Sequence, residues 1–223
     1  MMNDEDTLLR TGLHYALLPM TRSIIGGLFT HEQAEHHLRL IRDHLLFPDG
    51  VRLMDRPVAY RGGPEQTFRR AESAAFFGRE IGLMYVHAHL RYGEAMAVLG
   101  EADALWDALQ VVNPVTVAER VANASPRQRN AYFSSSDAAF PDRYRANAEW
   151  ERVREGTIAA DGGWRVYSSG PGLYTNLLLC RALGIRRRFG QRIVEPVLPR
   201  GLGLVRLERV IDGRKERWDL SPT

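Results

Sequence analysis

Apolar residues recur at helical spacing through most of the first two thirds of the chain. Leu8 to Ile25 carries such a pattern, interrupted by Pro19. Thr30 is a good N-cap for a helix running to about Leu46, and Gln33 stands where a capping box closes. Phe47 to Pro64 is rich in Gly, Pro, Asp and Arg and reads as a loop. Helical character returns from Thr67, is clearest from Met84 to Leu99, and ends at Gly100. Ala102 to Val111 makes a short helix that stops before Asn113-Pro114, because proline disfavours helical backbone in the residue before it. Another helix is expected just after Pro114. Asn123 to Phe140 reads as polar and irregular, Asp142 to Glu155 as helix, and Asp161 to Gly172 as a Gly/Ser-rich loop. Leu173 to Leu183 is an apolar helix ended by Gly184. After Arg188 the period shortens. Ile193–Val197, Leu202–Ile211 and Glu216–Leu220 read as strands, and Asp212-Gly213 is a strong two-residue hairpin signal. A lone hairpin is marginally stable in water. These strands are therefore expected to open a β-domain or to pack on the helical part.

The chain has 223 residues, 44% of them hydrophobic, enough to bury a sizeable core. No apolar run approaches the roughly 20 residues that span a bilayer. Met1 to Asp6 is acidic, unlike the start of a signal peptide. Cys180 is the only cysteine, which fits a reducing compartment. A cytoplasmic location is the expectation. The net charge is +3, unevenly spread: residues 181–223 hold 11 Arg/Lys against 5 Asp/Glu, with Arg186, Arg187 and Arg188 in one run. That patch would suit a polyanion. The plainer reading is a solvated helix end. No zinc-ligand spacing, P-loop or RNA-binding signature accompanies it, so neither a nucleic-acid nor a membrane partner is expected.

Four loops carry candidate chemistry. Phe47 to Pro57, continuing to Tyr60 and Arg61, sets arginines beside Asp and Tyr, which suits anionic or hydroxyl-rich ligands or internal Asp–Arg pairs. Gly78 to His89 contains Glu80 and His87, seven apart and on one face if the helix is continuous. His87 and His89 are two apart and face different ways, which argues against a shared metal site. Taken alone, His87 also reads as a hydrogen-bonded core histidine. Tyr132 to Asp137 places three serines and an aspartate after two aromatics, a pattern open to a sugar subsite or a turn cluster. Gly162 to Gly172 feeds small residues into a helix N-terminus, where free N–H groups favour phosphate and ordinary capping is the alternative.

Taken in order, these segments resemble the C-terminal half of the phosphorylases of glycoside hydrolase family 94. The segments RAESAAFFGREIGLMYVHAH, YFSSSDAAF and GGWRVYSSGPGLYT look most like the branch acting on β-1,2-linked glucose oligomers, and more loosely like cellobiose phosphorylases. The resemblance implies a mainly α fold, with residues 1–188 as part of an (α/α)6 catalytic barrel and residues 189–223 as the start of a C-terminal β-domain. It implies phosphorolysis of a β-glucosidic bond with inversion, giving α-glucose 1-phosphate. Phosphate is then the nucleophile and co-substrate, and no other cofactor or metal is expected. His87, Ser169 and Gly170 correspond to phosphate-holding positions. Glu80 corresponds to a sugar-contacting position. Ser135 and Asp137 would line acceptor subsites, with Tyr132 a stacking candidate and Arg61 a further contact. The family's general-acid Asp lies in a segment with no counterpart in this chain. Such an acid is worth about 10²–10⁴-fold, so the chain alone is expected to be inactive. A separately encoded N-terminal half and a homodimer are the expected partners. The alternatives are the phosphorylase-like domain of a cyclic β-1,2-glucan synthase and a non-catalytic glucan-binding fragment.

Overall fold

The computed structural model describes residues 14–56, 84–113, 116–121, 123–124, 134–166, 169–211 and 213–222. The expected helical character from Thr67 to Leu83, and the candidates Arg61, Glu80 and Tyr132, lie outside these residues. The described part combines helices with four two-stranded antiparallel sheets. No helix among the described residues is long and apolar enough to cross a membrane.

Helix α1 spans Leu17–Ile25. Pro19 sits in its first turn, where the missing N–H costs nothing. α2 spans His31–His44 and starts with the expected capping box, Thr30 and Gln33 each bonding the other's backbone. Within the expected loop, Leu46–Phe47 (β1) and Gly50–Val51 (β2) form a minimal hairpin.

α3, Val86–Leu99, is the centre of the fold. Val86, Ala88, His89, Leu90, Tyr92, Gly93, Ala95 and Met96 are all buried, so the helix is covered nearly all round. It ends at Gly100, whose φ of 76° is left-handed and suits glycine. α4, Ala102–Val112, returns beside it. Asn113 caps α4 in extended backbone (ψ 119°), as a residue before proline should. A short helix α5, Val117–Arg120, follows.

Two expected loops are strands. β3 (Ser134–Ala138) pairs antiparallel with β4 (Ala160–Val166), with an irregularity at Ser135. Ladder bonds use the backbone, so Ser and Gly content does not forbid them once a distant partner is supplied. The expected helix 142–155 divides into α6 (Arg143–Ala148), capped by the Asp142 carboxylate, and α7 (Glu151–Arg154). α8, Ser169–Leu177, runs on into a wider turn over Leu178–Ala182.

The arginine run corrects the reading as a solvated helix end. Ile185–Arg188 is strand β5, paired with β6 (Gln191–Val194). Position 188/189 thus falls at the tip of a hairpin. β7 (Val205–Ile211) and β8 (Arg214–Leu220) form the hairpin expected around Asp212-Gly213.

One core gathers α1, α2, α3, α4 and the C-terminal strands. Leu17, Ile41, Met96, Leu105, Ala182, Ile185, Leu198 and Leu220 belong to the same buried cluster. A smaller cluster joins Phe47, Ala138, Phe140, Ala146, Trp150 and Val153.

Candidate functional site

The start of α3 presents His87, half-buried, one turn before Arg91 and near Arg22 of α1. Burial lowers the His87 pKa first, and the positive charges of Arg91 and Arg22 lower it further. Its ring stacks against Tyr85, with centroids 6.1 Å apart. Among the described residues its ring nitrogens take no hydrogen bond. Arg91 donates to Glu94 at 2.5 Å, while its buried Nε has no hydrogen-bond partner among the described residues. Arg181 donates to the other Glu94 oxygen at 3.0 Å. Burial alone would raise the Glu94 pKa, but these two guanidiniums win and hold it below the usual value. The carboxylate therefore anchors Arg91 and Arg181 as a stable anion.

Helix direction brings a second feature to this end. α4 runs antiparallel to α3, with the His89 ring against the Ala108 carbonyl, so Asn113 comes back beside the start of α3. The Asn113 amide reaches the Tyr174 hydroxyl at 3.5 Å. Further along, Leu177 packs on Gly93 and Arg181 on Glu94. These contacts climb α3 and α8 in the same direction, so the two N-termini lie at the same end. A Cβ on Gly93 would come within 2.8 Å of a Leu177 methyl, so glycine allows the close approach.

Gly170, in the first turn of α8, is buried. The β3–β4 register joins it to the serine segment: Ser134 pairs with Val166, just before α8 begins. The backbone of Ser135 and Asp137 continues along that ladder, and β3 lies against α3. His87, Ser169, Gly170, Ser135 and Asp137 thus sit on elements that adjoin one another. The sequence reading did not pick out Arg22, Arg91 or Tyr174. Arg91 carried a signal, being four residues after His87 on one helix face. Arg22 carried none, since it arrives from a separate helix.

The hydrogen-bonded core histidine of α3 is His89 rather than His87. The Val51 N–H donates to its Nδ1 at 3.1 Å, so its Nε2–H donates to the Ala108 carbonyl at 2.8 Å. The Phe47–Pro57 loop holds an internal pair. Arg52 is fully buried and donates to both Asp49 oxygens, at 2.6 and 3.2 Å. Its guanidinium also lies 4.4 Å from the Phe47 ring centre. Among the described residues no cluster of His, Cys, Asp and Glu is arranged to hold a metal ion.

The chain is similar to a glycoside phosphorylase. A 1,2-beta-oligoglucan phosphorylase from Listeria innocua is 52% identical to it over 202 residues, which cover 91% of this chain and 18% of that protein. The cyclic beta-(1,2)-glucan synthase NdvB of Rhizobium meliloti is 28% identical over 121 residues, 54% of this chain and 4% of that protein. The chain therefore spans under a fifth of the curated relatives it matches. No family model matches it.

Proposed function

We propose that this chain forms the phosphate-binding part of an inverting glycoside phosphorylase of glycoside hydrolase family 94. It would act within a hexosyl-transferring enzyme on β-1,2-linked glucooligosaccharides. The observation that carries this reading is the shared end of α3 and α8. There His87 lies within electrostatic reach of Arg91 and Arg22, at the end of α3 where α8 also starts, in a chain closely similar to an oligoglucan phosphorylase. Guanidiniums and free helix N–H groups suit a phosphate dianion. The helices would contribute to an (α/α)6 barrel, with the C-terminal strands leading into a β-domain.

In this scheme a phosphate oxygen attacks the anomeric carbon from the face opposite the leaving group. The glycosidic C–O bond breaks, its electron pair stays on the departing oxygen, and a carboxylic acid protonates that oxygen. Inversion converts the β-glucoside into α-glucose 1-phosphate. His87, Ser169, Gly170 and the arginines hold the nucleophile. Glu80, Tyr132, Ser135, Asp137 and Arg61 are proposed to face the sugar. The acid is proposed to come from a separate portion of the protein, so the isolated chain releases no glucose 1-phosphate. The weaker likeness to a glucan synthase supports a second reading, the phosphorylase-like domain of such an enzyme.

The test is kinetic, in the complete protein. His87→Ala and Ser169→Ala should each raise the KM for phosphate by about tenfold or more, the worth of one hydrogen bond to a charged group. The KM for the saccharide should change much less. Phosphate dependence identical to the parent's would sink the reading of this end as a phosphate site.

A further inference from the structure

A cavity lies on the face of α3 away from His87. His89 and Tyr92 point into it, whereas His87, two residues before His89, turns away. The cavity measures about 620 Å³, within the roughly 300–1,000 Å³ of small-molecule sites. One wall is the face of α4 that carries Asp103, Asp107 and Val111 in one row and Ala104 and Ala108 in the next, each row spaced four apart. The opposite wall is the β1–β2 turn with Leu46 and Pro48. Gly50 keeps that turn close: its φ is 124°, and a Cβ there would lie 2.9 Å from both His89 and Met84.

Two ion pairs stand at the rim, beside the exposed carboxylate of Asp103. Arg42 donates to Glu101 at 2.7 Å, and the buried Tyr92 lines the groove beside them. Arg120 pairs with Asp107. All four charged side chains of these pairs are two-fifths or more exposed. Both cations already have carboxylate partners, so an anionic ligand would have to displace a carboxylate. A cationic ligand would have to compete with a guanidinium everywhere but at the exposed Asp103. A vicinal diol needs neither: one hydroxyl accepts from a guanidinium edge while its neighbour donates to a carboxylate. The apolar wall of Leu46, Pro48 and Val111 suits the C–H face of a sugar ring.

We propose that this groove is a second binding site for a neutral, hydroxyl-rich ligand of the saccharide class, separate from the phosphate end and independent of phosphate. The groove stands on its own lining, whereas the saccharide that probes it rests on the phosphorylase reading. The test is ligand-observed NMR on the 223-residue chain with a β-1,2-linked glucotriose, in phosphate-free buffer. Ala104→Trp fills the groove, and Arg120→Ser removes one donor from an exposed pair whose loss scarcely affects folding. Each should weaken binding by about tenfold, the worth of a lost hydrogen bond to a charged group. Arg206→Ser, in an exposed pair on the C-terminal hairpin, should bind as the parent does. Should the Trp variant fail to fold, Arg120→Ser decides alone. Undiminished binding by folded groove variants overturns the proposal. So does binding abolished by His87→Ala, which would assign all saccharide contact to the other end. No binding by the parent chain also overturns it. A failure of the phosphorylase reading shows separately, as a phosphate KM insensitive to His87 and Ser169.

Discussion

His37 and His87 are held neutral by the fold in the same way. Each is partly buried, and burial is the first cause of its lowered pKa; His36 adds to the effect at His37, and Arg91 and Arg22 at His87. His37 also stacks on Phe29 with centroids 4.4 Å apart, and its Nδ1 is buried with no hydrogen-bond partner among the described residues. Because folding depresses both values below 6.5, the unfolded chain binds more protons as pH falls through that value. Stability is intact above it and declines below it, until pH passes the depressed folded values. The melting temperature should therefore drop as pH falls through 6.5. His37→Phe, which keeps the stack and removes the titration, should flatten the profile. A profile equally steep in that variant would remove His37 from the account. Phosphate bound beside His87 should raise that pKa, visible as a shifted imidazole titration by NMR. His87 was legible as a candidate from its place in the motif. Of its arginine neighbours, Arg91 was legible from its spacing, whereas Arg22 was not, because it is brought in only by packing of a separate helix.

Local chemistry decided which elements could be read from the chain. Thr30 with Gln33, Gly100, Asn113-Pro114 and Asp212-Gly213 act through neighbouring backbone, and each ends or starts an element where expected. β3 and β4 carry no such local signal: Ser134–Ala138 and Ala160–Val166 are strands because they meet each other across a long stretch of sequence. The arginine run of β5 is similar, since its strand character comes from its partner β6. Gly184 shows how the turn before β5 is enforced. Its φ is 69°, and a Cβ there would fall 2.0 Å from the Glu195 carbonyl oxygen. The Glu195 N–H in turn donates to the Gly184 carbonyl at 3.1 Å, and the Val197 N–H to that of Ala182 at 2.9 Å. Gly184→Ala should cost about 1–3 kcal/mol from left-handed backbone alone, and the overlap with Glu195 should add to it. Urea melts measure the loss. A change below that range would mean the irregular segment after β6 can move aside.

The C-terminal strands belong to the same buried core as the central helices, which bears on whether residues 189–223 act as the beginning of a separate unit. Leu220, at the end of β8, is buried in the cluster that contains α1, α3 and α4, together with Ile185 and Leu198. Val205, Leu207 and Trp218 pack against that cluster from the same hairpin, so β7–β8 offers the helices one apolar face. The opposite face is charged, with Arg206 paired to Asp219 and Arg217 near Glu208. A two-stranded hairpin is marginal by itself, and this one gains its stability from the helical core. Leu220→Ala should then cost about 2–5 kcal/mol, as for other large-to-small core changes. The loss should appear in the helices as well as in the hairpin. Far-UV circular dichroism reports the helices, and fluorescence of the tryptophans includes Trp150 in the other apolar cluster and Trp218 in the hairpin. Coincident unfolding curves, both shifted by the substitution, mean that strands and helices fold as one cooperative body. A helical transition left in place while the Trp218 signal melts early would make the strands a separable unit after all, with the division close to the Phe189 turn.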